Sequence, residues 1–164
     1  MRKFTALLVA AAVFGIAALA SQAVGQIITS AQAPKTSVMS SVQRIKAGDV
    51  NCPGCDLSGA DLSNECVKGG NLTGANFEDV TARYMCMSLA NFTDVSFKNA
   101  DLTGANLGKA NLTNADLTGA KLSITSIKGT DLSTAKGLTQ AQLDRACGDD
   151  ETKLPAGLIV KFCK

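Results

Sequence analysis

The sequence predicts an all-β solenoid, and three features of its middle section lead to this prediction. An apolar residue returns every five residues from Cys55 to Thr134, through sixteen consecutive units without an insertion. A small residue, most often alanine, stands two places before the apolar one, and the residue between them is usually Asp or Asn. Helices and plain strands lack a period of five, whereas a chain that turns the same way after every five residues closes a square in about twenty.

The central apolar residues are expected to form the core of these stacked squares. They are Leu57, Leu62, Val67, Leu72, Phe77, Ala82, Met87, Phe92, Phe97, Leu102, Leu107, Leu112, Leu117, Leu122, Ile127 and Leu132. Side chains two apart in an extended segment share a face, so the small residues should also point inward. The other three residues of each unit should face water or form the corner, and the backbone should pair with the coils above and below.

The repeated units, such as CDLSG, ADLTG and ANLTN, resemble those of the pentapeptide-repeat family. The resemblance implies a right-handed quadrilateral β-helix of about four coils, with a straight face for every five-residue unit. The segment Val50–Gly54 (VNCPG) is in phase with the units that follow it. We therefore assign residues 50–134 to the β-helix.

The first residues of the chain are typical of a secretory signal peptide, assigned to residues 1–23. A basic end, Met1–Lys3, precedes the apolar stretch Phe4–Ala17, and cleavage is expected after Ala20 or Ala23. The apolar stretch is short for a membrane anchor. We therefore expect a periplasmic or secreted protein that has no integral membrane span after cleavage.

A linker and a short helix are expected between the signal peptide and the β-helix. Residues 24–36 form the predicted linker, and residues 37–49 form the predicted N-terminal cap. Val38, Val42 and Ile45 recur at helical spacing within this cap. A cap is needed because an open solenoid end exposes apolar core and an unpaired strand edge.

A second helical cap is expected after the repeats, in residues 135–164. The segment Thr139–Gln142 (TQAQ) has the form of a capping box, with Thr at the N-cap and Gln three residues later. We expect a helix of about eight residues that ends near Gly148. This helix would cover the far end of the β-helix.

Six cysteines in an exported chain favour disulfides. Cys66 and Cys86 take the same place in their units and are twenty residues apart, so adjacent coils should bring them within disulfide range. Neighbouring parallel strands do not always allow the required torsion, which leaves free thiols as the other possibility. Cys147 and Cys163 flank the tail, and we favour a bridge between them that closes a loop of about sixteen residues.

Cys52 and Cys55 form a CxxC motif in the segment that opens the first coil. We favour a structural role, as a bridge or as buried thiols, because both residues point inward by their phase. The alternative is a thiol-redox or metal-binding site. The sequence has no histidine and no further cysteine pair close to this motif, which counts against a metal centre.

Glu65 stands at an inward position that small residues normally fill. A buried carboxylate without a partner is costly, so we expect a contact with Arg44 or Lys46, or a side chain bent out to water. A functional acid is the alternative interpretation.

Asparagine and threonine repeat every twenty residues on one predicted face, as in Asn71, Asn91 and Asn111. The side chains of such ladders are expected to face water and to form hydrogen bonds along the wall of the solenoid. Binding of a repetitive surface, such as ice or a polysaccharide, is the alternative.

Three large apolar residues fall at outward corner positions that Gly, Asn or Asp normally fill. They are Tyr84, Leu89 and Ile124, and Arg83 adds a charge beside them. We call these four residues the candidate partner patch. Its expected partner is an unknown protein or envelope component.

The sequence disfavours an enzyme and a nucleic-acid-binding protein. It has no histidine, no nucleophile–base pair and no phosphate-binding loop, so no catalytic residue, metal or cofactor is assigned. Some members of the family that it resembles imitate DNA, which requires a long, strongly acidic rod. The units from Cys55 to Thr134 hold nine acidic and six basic residues, without a basic stripe interleaved with aromatics.

We predict a non-catalytic, exported structural or protein-interaction module, with a thiol-redox or metal-binding protein as the alternative.

Overall fold

The computed structural model describes residues 41–163 of the chain. The predicted signal peptide, the predicted linker and the first part of the predicted N-terminal cap, including Val38, lie outside the described residues. Within residues 41–163 no helix is both long enough and apolar enough to cross a membrane.

Parallel β-bridges join residues that are twenty positions apart, from Asn51↔Asn71 to Asp116↔Lys136. Each strand is a single bridging residue at every fifth position. These positions are Asn51, Asp56, Asp61, Cys66, Asn71, Asn76, Thr81, Cys86, Asn91, Ser96, Asp101, Asn106, Asn111, Asp116, Lys121, Ser126, Asp131 and Lys136. Four short faces therefore complete each coil, and the VNCPG segment belongs to the first coil because Asn51 bridges Asn71.

The backbone of a single unit shows how a five-residue face satisfies its hydrogen bonds. In residues 91–95 the N–H groups of Asn91, Phe92 and Asp94 donate to carbonyl oxygens of the neighbouring coils at 2.8–2.9 Å. The Val95 N–H closes the corner on the Phe92 carbonyl at 3.3 Å. The remaining donor, the Thr93 N–H, is accepted by the Asn91 side chain at 3.1 Å. Asp and Asn recur before the central residue because their side chains accept this otherwise unpaired N–H.

The corner residue, two places after the central one, takes a left-handed backbone conformation. From Gly54 to Gly129 its φ angle lies between 52° and 72°. Glycine adopts this conformation without strain, and Asn and Asp tolerate it better than other residues. This preference explains why these three residue types fill most of the corners.

The core contains all the predicted central side chains, and each of them is buried. Phe77 and Phe97 share one column, with ring centroids 5.1 Å apart, and Phe92 packs against both from the neighbouring column. Alanine fills most of the second inward position. Val80 is buried there beside the small central residue Ala82, in keeping with compensation of side-chain volume.

Two inward threonines carry hydroxyl groups into the core. Thr125 and Thr130 are fully buried at positions that alanine fills in other units. Their hydroxyls donate to the carbonyl oxygens of Leu102 and Leu107 at 2.7 and 2.8 Å. The cost of burying these polar groups is therefore offset by hydrogen bonds to the preceding coil.

Helix α1 covers residues 41–46 at the first coil. Its Ile45 joins the buried core. Arg44 pairs with Asp49 at 2.7 Å and donates to the Asn51 carbonyl at 2.9 Å, while Asp49 accepts the Asn51 N–H at 3.0 Å. Arg44 is thus engaged with Asp49, and Glu65, which is half-buried, forms no ion pair with either predicted basic residue within the described chain.

Helix α2, Gln140–Leu143, is half as long as the eight-residue helix expected here. The predicted contact between Gln142 and the helix N-cap is present, since the Thr139 N–H donates to the side-chain oxygen of Gln142 at 2.8 Å. The helix ends early because the chain next pairs with the last coil. Cys147 bridges Ser126, so residues near Gly148 are held in extended rather than helical conformation.

The segment after α2 follows the edge of the last coil. Lys153 bridges Asp131, and Gly148 bridges Phe162. The Leu143 side chain is buried with the core. The end of the chain thus lies against the solenoid through both backbone pairing and apolar contact.

Candidate interaction surface

The three apolar residues of the candidate partner patch all occupy left-handed corners. Tyr84, Leu89 and Ile124 have φ angles of 55°, 63° and 52°. Their exposed fractions are 59%, 56% and 59%, so each side chain projects from the solenoid. A left-handed conformation is unfavourable for such residues, above all for the β-branched Ile124. These corners therefore carry large apolar groups at a cost in stability.

The coil register divides the patch between two corners. Tyr84 and Ile124 are forty positions apart and lie in one column, with Gly104 between them. The Tyr84 ring lies so close to Gly104 that a Cβ atom there would overlap it. Leu89 belongs to the next corner, in the column of Lys109. We call Tyr84, Gly104 and Ile124 the apolar corner.

Arg83 lies beside the apolar corner but is not a free cation. Its guanidinium pairs with the Asp101 carboxylate at 2.8 Å, and Lys121 approaches the same carboxylate at 3.9 Å. Burial alone would raise the pKa of Asp101, but hydrogen bonds from Thr103 and Arg83, together with the Arg83 charge, outweigh it and lower that pKa. The ion pair holds the Arg83 side chain along the face, where about half of it stays exposed.

Three disulfides join the six cysteines. Cys66 and Cys86 are bonded between adjacent coils, where they are also a β-bridge pair with Cα atoms 4.4 Å apart. Cys147 and Cys163 are bonded in the tail, with Cα atoms 5.3 Å apart. Both pairs correspond to those derived from the repeat phase and the tail spacing.

The third disulfide joins Cys52 and Cys55 of the CxxC motif. Cys52 is fully buried and Cys55 is 8% exposed, both within the core of the first coil. A redox disulfide must be reached by another thiolate, and this burial leaves little access. Among residues 41–163 no group of His, Cys, Asp or Glu could hold a metal ion. The thiol-redox and metal-binding alternative is therefore not supported.

The ladder of Asn and Thr forms local hydrogen bonds. Asn71, Asn91 and Asn111 each accept both the N–H and the hydroxyl of the threonine two places on, with hydroxyl distances of 2.7 Å. These contacts favour a structural role for the ladder, because the side chains complete the turn within their own unit.

A family model for pentapeptide repeats matches this chain in eight copies, over residues 55–94 and 96–133. The matched residues are those whose bridges define the coils. The chain belongs to the pentapeptide-repeat family. Members of the pentapeptide-repeat family fold as right-handed quadrilateral β-helices, in agreement with the four-sided register.

Solved structures of other pentapeptide-repeat proteins are similar to this chain. HetL from Nostoc sp. strain PCC 7120, which is involved in heterocyst differentiation regulation, is 22% identical with a TM-score of 0.46. The alignment covers 67% of this chain but only 60% of HetL. A second pentapeptide-repeat protein from Nostoc PCC 7120 is 26% identical, with a TM-score of 0.39 and coverage of 72% and 95%. One from the cyanobacterium Cyanothece 51142 is 23% identical, with a TM-score of 0.34 and coverage of 71% and 98%.

No curated protein matches this chain. The family membership therefore rests on the repeat match and the coil register.

Proposed function

We propose that this protein is an exported, non-catalytic pentapeptide-repeat protein that presents a rigid surface to a protein or envelope component. The observation that carries the proposal is the apolar corner, where Tyr84 and Ile124 stand exposed in strained left-handed conformations. Residues that reduce stability and remain exposed are more plausible as binding groups than as structural ones. The three disulfides suit an oxidising compartment, in agreement with the predicted signal peptide.

The proposal includes helical caps at both ends of the β-helix. At the first coil, Arg44 donates a hydrogen bond to the Asn51 carbonyl, and Asp49 accepts one from the Asn51 N–H. Both Asn51 groups lie at the edge of the solenoid. At the last coil, the Gln142 side chain donates to the carbonyl oxygens of Leu117 and Ala120 at 2.9 and 2.8 Å. Both sets of contacts satisfy strand edges that would otherwise invite association.

Export is tested by expressing the full chain in a bacterial host and determining the N-terminus of the purified product by mass spectrometry. Cleavage is expected after Ala20 or Ala23, with the product recovered from the periplasm or the medium. A cytoplasmic product that retains Met1 or begins at Arg2 would contradict export.

The interaction surface is tested by affinity capture from envelope extract of the native host. The double variant Tyr84→Asn/Ile124→Asn removes both apolar groups, and asparagine tolerates the corner conformation. The matched control is Lys109→Asn, an exposed corner with a φ of 56° in the neighbouring column. Partners retained by wild type and control but lost by the double variant would support the proposal, whereas equal recovery by all three proteins would reject it.

A further inference from the structure

One face of the last coil, among residues 41–163, has no strand paired beyond it. Three central residues of this coil, Leu117, Ile127 and Leu132, donate to carbonyl oxygens of later segments at 2.8 Å. Lys121, by contrast, bridges only the preceding coil, so among residues 41–163 the adjacent Leu122 N–H has no strand partner in a later segment. The reason is that α2 occupies the place where the next strand would pair. An N–H without a strand partner takes its acceptor from water or from a ligand.

A cavity of about 400 Å³ lies at this gap, between the last coil and α2. Its apolar wall includes Ala120, Leu122 and Ala141. Its volume falls within the range of small-molecule sites, and it is too large for a single water.

The charged groups that line this cavity are both cations, Lys121 and Arg145. The Arg145 side chain has no ion-pair partner in the described part of the chain, and Lys121 is only loosely held by Asp101 at 3.9 Å. The side-chain amide of Gln142 already forms hydrogen bonds within the protein, because its nitrogen donates to two carbonyl oxygens and its oxygen accepts from Thr139. The charged hydrogen-bonding groups of the cavity are therefore all donors, beside the hydroxyls of Thr103 and Ser123, which can donate or accept.

We infer that this cavity binds a carboxylate, carried either by a small apolar acid or by the C-terminus of a peptide. The carboxylate accepts the Leu122 N–H and pairs with Arg145 and Lys121, while the apolar body lies against Ala120 and Ala141. Guanidinium and backbone N–H groups together are a common arrangement for carboxylate recognition. The inference is independent of the apolar corner and of the proposed partner.

The first experiment is an NMR titration of the isotope-labelled protein with three probes. They are acetate, the peptide acetyl-Ala-Ala-Leu with a free carboxylate, and the same peptide as its C-terminal amide. The Leu122 amide resonance should shift in a saturable way with a carboxylate probe, while the Leu62 amide, which is already bonded to Thr81 at 2.8 Å, should stay in place. Binding of both acids would indicate a free small acid as ligand, and binding of the peptide acid alone would indicate a peptide C-terminus.

Three variants connect the shift to this cavity. Arg145→Gln should weaken binding of the carboxylate probe about tenfold, because a charge-assisted contact is lost. Ala141→Phe should block the cavity without changing charge. The control Lys128→Gln removes a lysine that does not line the cavity and should leave binding unchanged. Thermal unfolding curves verify that each variant is folded.

Three results would overturn the inference. One is the absence of a saturable Leu122 shift with either acid up to about 10 mM, which means that water fills the cavity. The second is equal binding of the acid and amide peptides. The third is equal weakening by Arg145→Gln and Lys128→Gln. In either case the carboxylate would not be recognised at this place.

Discussion

At the scale of single residues, the repeat is governed by what each position tolerates. The left-handed corner favours Gly, Asn and Asp, and the inward position before the centre favours alanine. Tyr84, Leu89 and Ile124 depart from the corner rule and stay exposed, so their conformational cost is not offset by burial. This local conflict is what distinguishes a candidate interaction site from the rest of the wall.

Ile124→Asn is expected to stabilise the protein by about 1 kcal/mol, because a β-branched side chain leaves the left-handed conformation. The reverse change, Asn64→Ile in the same column, should destabilise it by about 1–2 kcal/mol, since Asn64 has a φ of 65°. Chemical denaturation of both variants measures the effect. A neutral or destabilising result for Ile124→Asn would show that the corner carries no strain.

Gly70→Ala is expected to destabilise the protein by about 1–3 kcal/mol. A Cβ atom at Gly70 would overlap the Val50 carbonyl oxygen, and that backbone cannot easily move. The control is Gly108→Ala, where the nearest atom is the flexible Asn106 side chain at 3.1 Å and the next is the Lys128 carbonyl at 3.5 Å. The control should be neutral or slightly stabilising. Similar unfolding free energies for the two variants would contradict this account of Gly70.

At the scale of the elements, the five-residue face is stabilised by carboxylates and amides that accept backbone N–H groups. Asp101 shows this arrangement with an added ion pair, since it accepts the Thr103 N–H at 3.1 Å and pairs with Arg83. Most of its side chain is removed from water, so loss of either partner affects folding more than an exposed pair would.

The stabilisation by Asp101 should depend on pH. Its pKa in the folded protein lies below the ordinary value of 3.8, so its contribution is present above that value and is lost as the pH falls through the folded pKa. Asp101→Asn should lower the unfolding free energy at pH 7 by about 1–2 kcal/mol and flatten its decline on acidification. A double-mutant cycle with Arg83→Gln measures the coupling. Additive effects, with an unchanged acid profile, would show that the pair is not coupled.

The sequence is a good guide to the elements that depend on the period and a poor one to those that depend on tertiary pairing. The bond between Cys66 and Cys86 follows from their spacing of twenty residues, which is one coil. The shared corner of Tyr84 and Ile124 could have been predicted in the same way from their spacing of forty residues, which is two coils. The length of α2 could not, because the bridge between Ser126 and Cys147 overrides the local helical signal. The cavity beside Leu122 escapes sequence analysis for the same reason.

At the scale of the whole molecule, stability depends on contacts between successive coils. The Cys66–Cys86 bond joins two coils, and the Cys147–Cys163 bond closes the tail that follows α2. Because each coil contacts mainly its neighbours, the stability of the solenoid is approximately the sum of the contributions of the coils and of the interfaces between neighbouring coils.

Removal of a disulfide should destabilise the protein by an amount that rises with the logarithm of the loop length that it closes. The loops of Cys66–Cys86 and Cys147–Cys163, with separations of 20 and 16 residues, predict losses of about 3 kcal/mol each on replacement of both cysteines by serine. The separation of 3 residues in Cys52–Cys55 predicts about 1.6 kcal/mol. Denaturation of the three double-serine variants tests this order, and a largest loss for Cys52–Cys55 would contradict it.

The central claim is that the chain advances by one coil every twenty residues around a common apolar axis. The most direct test is a NOESY spectrum of the isotope-labelled protein. We expect contacts from Leu72 to Phe92 and from Phe92 to Leu112, and contacts between the rings of Phe77 and Phe97. Spectra in which these side chains contact residues three or four positions away, and none twenty positions away, would contradict the four-sided β-helix.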